Sequence, residues 1–189
     1  MDRCSLLLFG TAPHAARRGR LPKRAWSVQP GWHARPACAT ACTMTDQTPF
    51  DPALHGWRPL PVGGFPAHVG PFWHRADTGP DDAPGPPRFA MLADARHLNI
   101  HGIVHGGMVM TFADTGLGIT VWHAMDRRPC VTVQFGCQFL DAVHPGDFVE
   151  LDAEVLRRSS TVVFMRGTLR VGARVTGAVE GVWKMVRPR

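Results

Sequence analysis

No apolar run in this 189-residue chain is long enough to cross a bilayer. The best candidate, residues 108–122, falls short of the roughly 20 residues a spanning helix needs, and Asp114 and two glycines interrupt it. Leu6–Phe9 is likewise too short for the apolar core of a secretory signal. Cysteine is scarce: of five, Cys4, Cys38 and Cys42 precede residue 44, and none has metal-ligand spacing. A disulfide scaffold is excluded, and a reducing compartment, the cytoplasm, is expected. Cys130 and Cys137 stand an odd number of residues apart on one expected strand, which predicts opposite faces. Excess charge of one sign is also absent from most of the chain. Residues 44–189 hold 14 basic and 14 acidic side chains, whereas residues 1–43 hold seven basic and one acidic. The pI near 9.7 therefore belongs to the N-terminal segment. The folded portion offers no basic surplus to suggest a nucleic-acid or membrane partner.

Residues 1–43 are dense in Ala, Arg, Pro and Gly without hydrophobic period, so a disordered basic extension is expected there. Its Arg-rich, acid-poor balance matches a transit peptide in composition. A start of translation at Met44, making the extension an artefact of the assigned start, is expected in preference to targeting. Residues 44–189 then form one domain, large enough to bury roughly two thirds of its unfolded surface.

What is present concentrates between Asn99 and Trp122. Asn99-Ile-His-Gly-Ile-Val-His105-Gly106-Gly107 leads into a run that is apolar on nearly every side, which predicts a buried helix. Glycines at a helix entrance admit a ligand to the backbone, and the first N–H groups of a helix lack intrahelical partners. Such donors stabilise negative charge developing on a carbonyl oxygen. Asp114, an acid in an apolar helix, is costly unless paired or used. An oxyanion donor with a carboxylate that attacks, or activates water, is the minimum equipment for acyl transfer. Each residue also has a plainer role: Asp114 as a satisfied buried acid, Asn99 as a turn or cap residue. His97, His101 and His105 suggest metal ligands at helical spacing. Gly102 interrupts them, no Glu completes an H-E-x-x-H site, and Arg88–Asn99 reads as a strand, so no metal is expected.

Downstream, Val149, Leu151, Ala153 and Val155 alternate with Glu150, Asp152 and Glu154, as in a strand with one buried face. Val175, Val179, Trp183 and Met185 alternate similarly with Thr176, Glu180 and Lys184, while Thr161–Val171 and Cys130–Val143 are rich in β-formers. Turns at His144-Pro-Gly and Val171-Gly-Ala join these segments. With Pro71–Asp77 and Arg88–Asn99 the expectation is an α+β fold, an antiparallel sheet of six strands wrapped on one helix.

Asn99, His105, Gly106, Gly107 and Asp114, in this order, resemble the signature of the PaaI-type hotdog-fold acyl-CoA thioesterases. The resemblance runs from Gly70-Pro-Phe-Trp73 through Val131–Leu140 and His144-Pro-Gly-Asp147, roughly residues 55–187. It implies a hotdog fold and hydrolysis of an acyl-CoA thioester to a carboxylic acid and CoA. It further implies Asp114 as nucleophile or general base and the Gly106 N–H as oxyanion donor. Asn99 and His105 would position the carbonyl or the water, and the Thr132 hydroxyl would stand near the acid. Gly107 would line the substrate. The site would lie at the interface of a homodimer or homotetramer, its Asp114 and His105 coming from different subunits. Coenzyme A would be part of the substrate, with no separate cofactor. For its phosphates the best candidates are Arg157 and Arg158 with Ser159 and Ser160 in a strand-to-strand turn, which also reads as an ordinary solvated turn. Trp73, Phe112, Trp122, Phe135 and Phe139 are candidates for an acyl pocket or for core. Two other functions fit the same fold: a non-catalytic acyl-CoA-binding module, and an enoyl-CoA hydratase, whose Asp-x-Asn-x-x-His run is absent here.

Overall fold

The computed structural model describes residues 50–76 and 87–186. The basic extension expected over 1–43 lies outside the described residues. Seven antiparallel strands form one sheet: β1 (Arg58–Pro59), β2 (Phe72–Arg75), β3 (Arg88–Leu92), β4 (Cys130–Phe139), β5 (Phe148–Arg158), β6 (Val162–Val171) and β7 (Arg174–Met185). They are ordered β1-β2-β3-β5-β6-β7-β4, which leaves β4 on an edge. A short helix, α1 (Phe65–Val69), precedes β2, and the long helix α2 (Gly106–Ala124) packs on one face of the sheet. This is the α+β hotdog arrangement, with the two-residue β1 added to the six expected strands.

The expected alternation holds along β5, where Val149 and Leu151 are fully buried and Asp152 and Glu154 face out. Those outward carboxylates hold Arg166 and Arg170 of β6 in ion pairs. Gly172 takes a φ of 58° in the two-residue turn between β6 and β7, a conformation that favours glycine.

Four expectations need correction. The strand expected over Arg88–Asn99 stops at Leu92, because Asp94 accepts the Arg96 N–H and caps a 3-10 turn over Ala95–His97. The His97 ring is buried and bonds both the Asp94 N–H and the Val69 carbonyl. Cys130 and Cys137 both pack against the core instead of lying on opposite faces. An extra residue in β4, Val133, shifts the register between Thr132 and Gln134 and reverses the parity beyond it. A similar irregularity at the start of β7 buries Thr176 and leaves Val175 half-exposed, the reverse of the alternation expected there.

The fourth correction concerns α2, which is not buried all round. Met108, Val109, Phe112, Ala113, Gly116, Leu117, Thr120 and Val121 face the core. Gly107, Met110, Thr111, Asp114, Thr115, Gly118 and Trp122 form an opposite stripe that keeps solvent access. The sequence is apolar on both faces, yet one sheet can cover only one of them. Gly116 marks the close approach: a Cβ there would stand 2.6 Å from a Leu151 methyl and 3.3 Å from the Phe89 ring.

Candidate active site at the entrance and open face of helix α2

The segment leading into α2 is held by its own backbone. The Asn99 amide oxygen accepts the His101 N–H at 2.8 Å, and Gly102 turns the chain at a φ of 76°. The chain then returns to pair Leu98 with Val104. The His105 N–H donates to the His97 carbonyl at 2.8 Å, fixing the point at which the helix begins.

His105 is the N-cap. Its Nδ1 accepts the Gly107 N–H at 2.9 Å, and its carbonyl accepts the Met108 N–H at 2.8 Å. An accepting Nδ1 carries no proton, so the neutral ring holds its hydrogen on Nε2. Gly106 is left as the one residue of this first turn whose N–H has no partner among the described residues. That donor sits at the positive end of a 19-residue helix, where negative charge is stabilised. It opens on a cavity of about 190 Å³ whose lining includes Asn99, Phe139, Asp141 and Thr176. Phe139 closes over it: a Cβ on Gly106 would stand 2.9 Å from the ring edge. On the other flank of the helix start, His105, Gly107 and Thr111 border a larger cavity of about 620 Å³. Its walls include Phe65, Val69 and Met108.

Asp114 lies eight residues after Gly106, about 12 Å along the helix axis. Its carboxylate is half-buried on the open stripe and accepts the Thr132 hydroxyl at 2.7 Å. The β4 irregularity lets residues of both parities face the helix. Thr132, before Val133, and Phe135, Cys137 and Phe139, after it, all turn toward the helix. Burial is the larger cause, and the Asp114 charge the second, that push the Cys130 thiol above its usual range.

The structure thus joins Asp114 with Thr132, and Asn99 with Gly106, but separates the two pairs along the helix. The turn after β5 is at the other end of α2. The Arg158 guanidinium donates to the carbonyl of Ala124, the last helical residue, at 2.6 Å. The Ser159 hydroxyl accepts the Val162 N–H, closing its own turn, and the Ser160 carbonyl accepts from Arg128. Arg157 is exposed and makes no side-chain hydrogen bond or ion pair among the described residues. Among the aromatic candidates, Phe112 is core against Phe72, and Phe135 packs edge-on to Trp183. Among the described residues, no group of three His, Cys, Asp or Glu could hold a metal ion, and no helix is long and apolar enough to cross a membrane. Sequence reasoning missed the tie from Arg174 to Asp141 and Asp147, at 3.0 and 2.8 Å, which fixes the wall beside Gly106. These partners are far apart in sequence and no local pattern announces them.

Comparisons with known proteins agree with this architecture. Residues 101–178 match the thioesterase superfamily. The candidate esterase PA0474 of Pseudomonas aeruginosa is 30% identical over 118 residues, covering 62% of this chain and 84% of that protein. The TT0310 protein of Thermus thermophilus superposes with a TM-score of 0.56 at 22% identity, over 66% of this chain and 99% of that one. Zebra fish thioesterase superfamily member 2 gives 0.58 at 21% identity, over 67% and 89%. By these matches, and by its long helix packed on an antiparallel sheet, the chain belongs to the thioesterase superfamily of hotdog-fold proteins.

Proposed function

We propose that this protein hydrolyses an acyl-CoA thioester to the carboxylic acid and free CoA. The observation that carries the reading is the unpartnered Gly106 N–H at the head of α2, with its neighbours' donors taken by His105. A thioester oxygen placed there gains negative charge as the carbonyl carbon is attacked, and a preorganised donor of this kind contributes about 3–4 kcal/mol. Asp114 either takes a proton from the attacking water or attacks the carbonyl itself, forming an anhydride that water then opens. In both routes the C–S bond breaks, the CoA thiolate leaves, and a proton returns to the sulfur. Thr132 holds the carboxylate in one orientation. Asn99 and His105 shape the helix entrance, with Gly107 beside the substrate. Water is the only co-reactant, and no resident cofactor enters the scheme.

Asp114 and Gly106 of one chain stand too far apart to act on one carbonyl. A second copy supplies the missing half, so the working unit is a homodimer, or a tetramer of such dimers. The surface that suits this role is the β4 edge, with Val131, Val133, Phe139 and Leu140 exposed, together with the open stripe of α2. An edge of this kind invites pairing with another chain. A cytoplasmic setting goes with this reading, on the scarcity of cysteine and its lack of scaffold or metal-ligand spacing.

The test is release of free thiol from a panel of acyl-CoAs by wild type and by Asp114→Asn. Release that collapses in the variant while ligand binding persists supports the reading. Ligand binding without turnover of any thioester overturns it in favour of a binding module.

A further inference from the structure

The arginines of the described residues divide into two groups. Arg88, Arg96, Arg166, Arg170 and Arg174 are each held by a carboxylate. Arg58, Arg75, Arg127, Arg128, Arg157 and Arg158 have no acidic partner among the described residues. Five of the six, all but Arg157, gather round the C-terminal end of α2. Arg158 reaches the Ala124 carbonyl, Arg128 bridges to Ser160, and Arg127 lies over Trp122. Arg58 and Arg75 share a cavity of about 570 Å³ with His74 and His123. No acidic side chain lines that cavity among the described residues.

Helix-end carbonyls account for Arg158, but not for this cavity. Arg75 is fixed in advance: its guanidinium stacks on Trp57 at 4.6 Å and donates to the His55 carbonyl. Arg58 makes no such contact. Burial, then Arg58 and His123, hold the His74 imidazole below its usual range. Two guanidiniums with imidazoles beside them, and no carboxylate among the described lining residues, give the cavity a positive potential that favours an anion. A planar guanidinium held in place, with imidazoles beside it, matches the oxygen fork of a phosphate. The volume is that of a ligand pocket.

We propose that this cavity, lined by Arg58, His74, Arg75 and His123, is a binding site for a phosphate-bearing ligand. Two sources share that chemistry: the phosphorylated nucleotide end of a CoA substrate, and a separate phosphorylated metabolite. The site stands on charge and geometry alone; only its assignment to CoA rests on the thioesterase reading.

The experiment titrates the full chain with adenosine 3′,5′-bisphosphate, and with uncharged adenosine as control, following the histidine ring protons by NMR and the affinity by calorimetry. Arg58→Gln and His123→Gln alter exposed side chains, so the fold is retained and is checked by circular dichroism. The bisphosphate saturates and moves the His74 and His123 signals, adenosine does not, and each variant weakens binding about tenfold. Absence of saturable binding, or equal affinity in Arg58→Gln, overturns the proposal. If Arg58→Gln also raises KM for an acyl-CoA but not for the matching acyl-pantetheine, the ligand is CoA. If bisphosphate binding weakens while both KM values hold, the ligand is a separate metabolite. Failure of thiol release would count against the thioesterase reading and leave the binding result legible.

Discussion

Gly116→Ala sets two known effects against each other in the middle of α2. Alanine in place of glycine favours a helix interior by about 1 kcal/mol. Against this, the new methyl would meet a Leu151 methyl at 2.6 Å and the Phe89 ring at 3.3 Å. The other Leu151 methyl already packs over Gly167, 2.9 Å from where a Cβ would stand, so the side chain is engaged on that side as well. Overpacking of a rigid core costs about 1–3 kcal/mol, and this site belongs to the upper half of that range. The net loss is about 1–2 kcal/mol, or about 3–7 °C in Tm for a domain of this size. Urea unfolding of wild type, Gly116→Ala, Leu151→Ala and the double variant closes a cycle. Leu151→Ala alone costs about 2–5 kcal/mol through the cavity it leaves. In that background Gly116→Ala becomes neutral or stabilising, giving a coupling of about 1–3 kcal/mol. A stabilised single variant, or an additive cycle, would refute the packing described for the helix and sheet.

The catalytic reading predicts different outcomes for two changes at Gly106. Gly106→Pro keeps the helix start, since proline suits a first helical position and His105 already has extended geometry (φ −61°, ψ 132°), but it deletes the free N–H. Its kcat falls about 10²–10³-fold, whereas Gly106→Ala keeps the N–H, asks only the far edge of the Phe139 ring to turn aside, and keeps most of the activity. Thr132→Val removes a hydrogen bond to a half-exposed carboxylate and lowers kcat about tenfold, with Thr132→Ser close to wild type and both unfolding at nearly the wild-type urea midpoint. Cys130 provides a pH readout: burial first and Asp114 second raise its pKa, so Asp114→Asn removes the second cause and brings thiolate formation to lower pH. Alkylation of Cys130 at pH 8 is then faster in Asp114→Asn than in wild type, while Cys137, raised by burial alone, reacts at an unchanged rate.

The elements legible in the sequence were those with a local cause. The alternation of β5, the glycine turns and the Gly-Gly entrance of α2 each follow from neighbouring residues, and all are present in the structure. Asp114 and Thr132 could be named because their residue types sit in a recognisable series, and the structure brings them to 2.7 Å. What local reading missed depends on partners distant in sequence. The extra residue at Val133 reverses the side-chain parity of β4, so two cysteines expected on opposite faces share one. Asp94 ends a strand that composition would have continued to Asn99. The basic cavity draws on β1, β2 and the end of α2, and no single stretch of sequence contains it.

That one site is built from two copies can be checked by mixing variants that fail for different reasons. Asp114→Asn lacks the acid and Gly106→Pro lacks the oxyanion donor, so each alone releases little thiol. Unfolded together at equal concentration and refolded, half the dimers are mixed, and each has one intact site. Activity should then recover to about a quarter of the wild-type level. A mixture that forms hybrid dimers yet stays as inactive as its two parents would contradict the account.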